Sequence, residues 1–290
     1  MTKCVFVSDL HGRTARYNTL FRLIADEKPD IVFIGGDIYP NAYMSKVDSL
    51  VHGNDFLADF FIAGLKKLKS ELGNDYPEIF LILGNDDARD EEESIIEADK
   101  EGWFHYINCK TISCNGHTLT GYAYVPPTPF RLKDWEKYDV SRYIDPGCVS
   151  PEEGFRTVPV DESTIRFGTI KEDLDELAEG IDFTKSIFLF HSPPHDTLLD
   201  RAALDGIKID HVPLDPHVGS IAIRRFIEKY QPMLTLHGHI HESTRITGLW
   251  KDKIGNTICL NAAHDGKELS VIRFDLEEPE EACRYLVVGS

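Results

Sequence analysis

Short apolar runs punctuate the chain, and most of the early ones alternate with stretches of helical period. "CVFV" (4 to 7) precedes Thr14 to Lys28, where Leu20, Leu23 and Ile24 fall on one helical face and Pro29 stops the element. "IVFI" (31 to 34) follows, and then a helix is predicted around residues 54 to 72, in which Phe56, Leu57, Phe60, Phe61, Leu65 and Leu68 recur at helical spacing before Gly73. "IFLIL" (79 to 83) reads as a third buried strand. Strands alternating with amphipathic helices predict an α/β domain rather than an all-β one.

From 104 to 125 the pattern becomes strand-like, with Asn115-Gly116 marking a hairpin between "KTISC" and "HTLTGYAYV". Residues 126 to 170 lose all period and hold much of the proline together with Trp135, Tyr138, Tyr143 and Phe155. So long a loop in a compact domain reads as a lid or a disordered insertion, and a surface cap is expected. A helix at 171 to 179, "IFLF" (187 to 190), an amphipathic segment at 219 to 230, "MLTL" (233 to 236), "NTICLN" (256 to 261) and "LSVIRF" (269 to 274) complete the set.

Composition changes this picture little. With 290 residues, 42% of them apolar, one domain spanning 1–290 is expected, with an irregular insertion at about 126–170. Apolar runs of only four or five residues are too short for a membrane span, and the N-terminus moves directly into a strand, so neither signal peptide nor anchor is expected. The six cysteines form no C-x-x-C pair, and Cys4 and Cys259 lie inside apolar runs, which suits a reducing cytoplasm. A formal net charge of −18 makes nucleic acid a poor partner, and any bound phosphate must be attracted locally.

That local attraction is written at the ends of the apolar runs. "CVFV" leads to Asp9 and His11, "IVFI" to Gly36-Asp37, "IFLIL" to Asn85-Asp86-Asp87, "IFLF" to His191, and "MLTL" to His237, His239 and His241 at alternate positions. In α/β sheets the carboxyl edge is where ligands bind. Oxygen and imidazole donors without a thiolate suit Mn²⁺, Fe, Zn²⁺ or Mg²⁺, and there are too many for one ion. Two divalent ions sharing a carboxylate could clamp the attacking and leaving oxygens of a phosphoryl displacement.

In order and spacing, "DLH", "GGD", "GNDD", "HSPP" and "GHIH" resemble the motifs of the calcineurin-like binuclear metallophosphoesterases across residues 9 to 241. The resemblance implies a four-layer α/β/β/α sandwich that hydrolyses a phosphodiester or phosphomonoester with hydroxide activated by two metals, Mn or Fe being favoured. It implies that Asp9, His11 and His241 bind one ion, that Asn85, His191 and His239 bind the other, and that Asp37 bridges them. Gly238 would allow the turn that aims the histidines, and His237, outside the motif, is expected to pack or to support a ligand.

The family usually has a histidine after the motif asparagine, where this chain has Asp86. An ionised carboxylate beside a phosphate must be protonated, paired with a cation or turned away. Asp86 itself, His195 or His264 is the candidate general acid, and an activated ester, a diester or an anhydride is the expected substrate. Asn261 is expected behind the ligands. The amides at the start of the 219 to 230 segment could donate to a phosphate oxygen. Arg131, Lys133, Lys137 and Arg142, interleaved with acids, read as a solvated cap face. The rival readings are a non-catalytic interaction scaffold of the same fold, and a nuclease, which the charge argues against. The partner is a small phosphate ester, with no membrane, and a homo-oligomer is allowed.

Overall fold

The structure is a computed structural model that describes residues 1–40 and 55–289. Strand β1 (Lys3–Val7) leads through helix α1 (Thr14–Glu27) to β2 (Ile31–Gly35). The chain resumes in a π-helical stretch, Phe56–Ile62, that passes into α2 (Ala63–Leu72) and β3 (Glu78–Ile82). Helix α3 (Glu92–Lys100) precedes the short β4 (His105–Tyr106), and β5 (Lys110–Cys114) and β6 (His117–Tyr122) form the hairpin expected at Asn115-Gly116, both residues having the positive φ that such a turn needs.

After the irregular segment come α4 (Glu162–Phe167), α5 (Ile170–Leu177), β7 (Ser186–Phe190) and a small hairpin of β8 (Lys208–Ile209) and β9 (Val212–Pro213). Helix α6 (Ile221–Tyr230), β10 (Leu234–His237), α7 (Ser243–Thr247) and strands β11 (Lys251–Ile254), β12 (Thr257–Asn261), β13 (Leu269–Asp275) and β14 (Glu278–Val287) close the chain.

The strands form two six-stranded sheets, ordered β14-β13-β1-β2-β3-β4 and β11-β12-β10-β7-β6-β5. Within them β1, β2, β3 and β4 run parallel, as do β6, β7, β10 and β12, so their carboxyl ends gather along one edge of each sheet. The central strands are buried along nearly their whole length, because residues on both faces enter one continuous hydrophobic core shared by the two sheets. Helices α1 and α2 pack together, with α1 against β13, while Phe226 of α6 meets Phe188 and Phe190 of β7 edge to face. This mixed α/β arrangement is in keeping with the expected α/β/β/α order.

Position 54, the expected start of the second helix, lies outside the described residues, and the helix opens with π rather than α geometry. Phe56, Phe60 and Phe61 of that stretch crowd the Tyr17 ring, with centroids 5.3 to 5.8 Å away. Strand β14 escaped the pattern because it is an edge strand of alternating charge and exposure, "EPEEACRYLV". Helix α3 escaped it because only Ile95 and Ala98 are buried. All six cysteines are free thiols.

Candidate metal centre

The chemistry-bearing side chains follow the ends of buried strands, and four of them sit on turns that ordinary residues avoid. Asp9, His11, Asp37 and His239 have φ of 57°, 47°, 51° and 71°, left-handed conformations that cost about 1–3 kcal/mol each outside glycine. Backbone bonds between neighbouring loops hold them: Asp9 N–H donates to Gly36 O (3.0 Å), His11 N–H to Asp37 O (2.7 Å) and Gly12 N–H to Ile38 O (2.9 Å). The left-handed residue of the "HGHIH" turn is thus His239. Gly238 instead gives room, since a Cβ there would lie 2.0 Å from Ser8 Oγ and 2.6 Å from Asp9 Oδ2.

Donor atoms of Asp9, His11, Asp37 and His241 all lie within 4.8 Å of one another. His11 Nε2 is 3.1 Å from His241 Nε2, which is itself 3.1 Å from Asp9 Oδ1. On the other side of Asp37, His191 Nε2 is 3.3 Å from Asp37 Oδ2 and 3.1 Å from Asn85 Oδ1. His191 Nδ1 donates to Gly35 O at 2.7 Å, so Nε2 is the nitrogen aimed at the cluster and the one that carries the lone pair when the ring is neutral. The His239 ring lies 5.2 Å from that of His191. All seven residues named from the sequence are therefore gathered at the facing sheet edges.

The charges also fit a cation site. Burial alone would depress His11 and His191, yet Asp86, Asp37 and Asp9 around the one, and Asp37 and Asp9 with the Gly35 carbonyl around the other, raise both to about 9. Burial would raise the Asp37 and Asp9 carboxyls, but histidines hold Asp37 down at about 2 and Asp9 well below the carboxylate range. His239, buried and beside His191, is pushed down to about 3 and stays a neutral donor. Carboxylates that hold protons this firmly on neighbouring imidazoles favour any positive charge placed among them, so converging oxygen and nitrogen donors suit divalent cations here.

Two supporting groups were not foreseen. Asp87, fully buried, accepts from the amides of Ile38 (3.1 Å), Tyr39 (2.8 Å) and Gly84 (2.9 Å) and so ties the loop carrying Asp37 to the loop carrying Asn85. Burial, with Asp37 nearby, raises its carboxyl to about 7. Arg16 of α1, also buried, donates to the carbonyls of Asp9, His264 and Gly266. Its signal was available, since a charge at 16 shares the stripe of Leu20 and Leu23.

Asp86 stands with Oδ2 3.3 Å from His11 Nδ1, while its own N–H donates to Asp37 Oδ1 at 2.8 Å. It is thus paired with the His11 imidazole, which answers the repulsion by engaging the carboxylate. His195 lies apart from the cluster, with Nε2 3.4 Å from Asp215 Oδ2 and its ring against His217, though it lines the same cavity. His264 turns toward Glu268 (3.1 Å). His237, buried, bridges Ser192 O (2.9 Å) and Thr235 Oγ1 (2.8 Å), and Asn261 spans Leu199 O and Ala263 N–H, so both brace backbone.

Two expectations for the opposite wall need correction. The amides at the start of α6 are not open to a phosphate, because Asp139 accepts from Ile221 N–H (2.7 Å) and Ala222 N–H (3.2 Å). The charges of 131–142 are only in part a solvated face: Arg131 and Arg142 are exposed, but Lys133, Asp134 and Glu136 are buried, and Lys133 pairs with Glu136. Nor do those cations reach the cavity, since Lys137 pairs with Asp173 and Arg142 with Glu152.

The sequence pattern of the calcineurin-like phosphoesterases matches residues 2–243. Among curated proteins none matches. One solved structure aligns over 99% of this chain and 99% of its own at 18% identity, with a TM-score of 0.59. TT1561 of Thermus thermophilus aligns over 98% of each chain at 15% identity, with a TM-score of 0.56. These likenesses are of fold.

Proposed function

The chain belongs to the calcineurin-like phosphoesterase family, and from that premise we propose that it hydrolyses a phosphate ester at a centre of two divalent ions. Asp9, His11 and His241 hold one ion, Asn85, His191 and His239 the other, and Asp37 lies between them. The observation that carries this reading is the convergence of four donor residues within 4.8 Å, extended across Asp37 by His191 and Asn85. Divalent ions there supply Lewis acidity, which acidifies water and clamps phosphate oxygens. Seven polar groups gathered at a buried edge cost more than they return without a cation, which favours an enzyme over a scaffold.

The chain's own residues do the positioning. Gly35 fixes the His191 tautomer, and Asp87 and Arg16 hold the loops that present Asp37 and Asp9. Asp86 fixes His11 by accepting at Nδ1, the carboxylate–histidine arrangement that orients ligands. With Asp86 so engaged, His195 on the cavity wall, backed by Asp215, is the group left to protonate a leaving alkoxide. A phosphodiester or an ester with a good leaving group depends least on that proton.

The test is hydrolysis of a nitrophenyl diester and the corresponding monoester by metal-stripped protein refilled with Mn²⁺. Metal-dependent turnover favouring the diester is expected. Two bound Mn²⁺ per chain with no turnover of either ester would leave a binding scaffold.

A further inference from the structure

Beside the metal-binding edge the cavity widens to about 1120 Å³, above the roughly 300–1,000 Å³ that holds a drug-sized molecule. A phosphoryl group on the metals fills only one end. The other end is walled by the irregular segment and by the β8–β9 hairpin, with Phe130, Tyr143, Phe155, Leu204, Ile209 and Leu214 facing the space. Three of these are more than half exposed: Phe130 at 64%, Tyr143 at 70% and Phe155 at 54%. Large rings left open on the wall of a cavity, rather than buried beneath it, mark a surface for an apolar ligand.

The wall is pre-formed. Thr128, in the turn that carries Pro127, Pro129 and Phe130, is pinned by Glu136, which accepts from its N–H (2.8 Å) and hydroxyl, while Lys133 donates to its carbonyl (3.0 Å). Phe155 N–H donates to Arg131 O at 2.8 Å. The two sides of the wall meet where a Cβ on Gly147 would stand 2.5 Å from Ile209 Cδ1. A surface fixed in advance loses little entropy on binding.

Charge excludes the commonest alternative. Outside the cluster the acidic side chains on this wall are Asp139, Asp145, Asp215 and Glu242, with His195 beside Asp215, and among the described residues neither lysine nor arginine lines the cavity. A nucleotide or any ester with a second phosphate would set its extra charge against those carboxylates.

We propose that the substrate is a phosphodiester carrying a single phosphate and one large apolar alkyl or aryl substituent, which lies along Phe130, Tyr143 and Phe155 while its phosphate meets the metal-binding edge. This rests on the hydrolase reading above. The ester arrives as a single molecule, since a net charge of −18 opposes approach to an anionic lipid surface.

The test is kcat/KM of the Mn²⁺-loaded protein for n-alkyl 4-nitrophenyl phosphodiesters from methyl to hexyl, in which water oxygen joins phosphorus as the bond to nitrophenolate breaks. Each fully buried methylene is worth up to about fourfold, so a rise of about tenfold or more along the series is expected. Phe130→Ser and Tyr143→Ser, on exposed residues that leave the core intact, should lower the hexyl-to-methyl ratio. Calorimetry of n-alkyl phosphates binding to the metal-stripped protein should show the same dependence on length.

A flat series, preference for thymidine 4-nitrophenyl phosphate over the hexyl ester, or turnover only when the ester is embedded in phosphatidylcholine vesicles would each overturn the proposal. Length-dependent binding without turnover would remove the hydrolase reading, and with it the ester as substrate, leaving the wall as a site for an apolar ligand. Turnover with a flat series would do the reverse.

Discussion

Along the sheet edges, Asp9, His11, Asp37 and His239 are held by backbone: buried parallel strands end together and left-handed turns present the side chains. The facing wall has no such frame. There Glu136 and Asp200 hold loop amides, Asp139 holds the first amides of α6, and together they do what a sheet does elsewhere, with Asp200 alone accepting from Asp196, Thr197 and Gly219 N–H. One side of the site is fixed by register and the other by a few buried carboxylates, so the two should fail in different ways.

The sharpest contrast comes from the metal side. His191→Ala removes a nitrogen that lies 3.3 Å from Asp37 and 3.1 Å from Asn85. Loss of an ion that polarises the phosphoryl group forfeits several kcal/mol, so kcat/KM for the nitrophenyl diester should fall by about three orders of magnitude or more. Metal analysis of the variant should find fewer than two Mn²⁺ per chain. Near-normal turnover would detach His191 from the centre.

On the other wall the largest effect is on stability. Lys133 and Glu136 form a fully buried pair in which burial lowers the lysine and raises the carboxyl to about 7. Lys133→Met leaves Glu136 uncompensated and should cost about 3–5 kcal/mol in urea unfolding, whereas Lys133→Met with Glu136→Gln should recover much of it. Mn²⁺ stoichiometry should hold in both. Loss of metal together with loss of stability would mean that the two walls are one mechanical unit.

The same division governs what could be read from sequence. Five apolar runs ending in Asp, Asn or His stood out because strand periodicity and metal chemistry coincide at Asp9, Asp37, Asn85, His191 and His239, and the hairpin at Asn115-Gly116 has its own turn code. The wall has no period. Trp135 and Lys133 are fully buried inside a stretch that reads as surface: Trp135 packs on Tyr124, and although Lys133 has its partner Glu136 three residues away, nothing in that spacing says that the pair is buried. Likewise nothing local announces that Asp139 caps a helix 82 residues further on.

A smaller effect tests the brace behind the metal edge. His237 is fully buried against Phe190, and burial pushes it from about 6.5 down to about 4. The unfolded chain therefore takes up a proton near pH 6.5 that the folded protein refuses until near pH 4. The resulting stability is complete above pH 6.5 and is lost as pH falls through that window, up to about 3 kcal/mol. His237→Gln keeps polar ends for Ser192 and Thr235 and should flatten the difference in unfolding free energy between pH 7 and pH 4. An unchanged slope would place the acid sensitivity elsewhere.

The finest discrimination concerns Asp86, where the chain departs from its family and where the two walls touch, since its carboxylate lines the cavity yet reaches His11 Nδ1 at 3.3 Å. If its work is to hold that ring, Asp86→Asn should weaken Mn²⁺ binding by about 10–100-fold, the usual loss for an outer partner of a histidine ligand, with turnover largely restored at saturating Mn²⁺. Asp86→His places an imidazole where relatives carry one and should raise turnover of an alkyl phosphomonoester relative to the diester, at the same expense in metal affinity. Unaltered Mn²⁺ affinity in Asp86→Asn with reduced diester turnover would assign Asp86 to the substrate instead, and the like-charge repulsion it then exerts would have to be relieved by a proton rather than by His11.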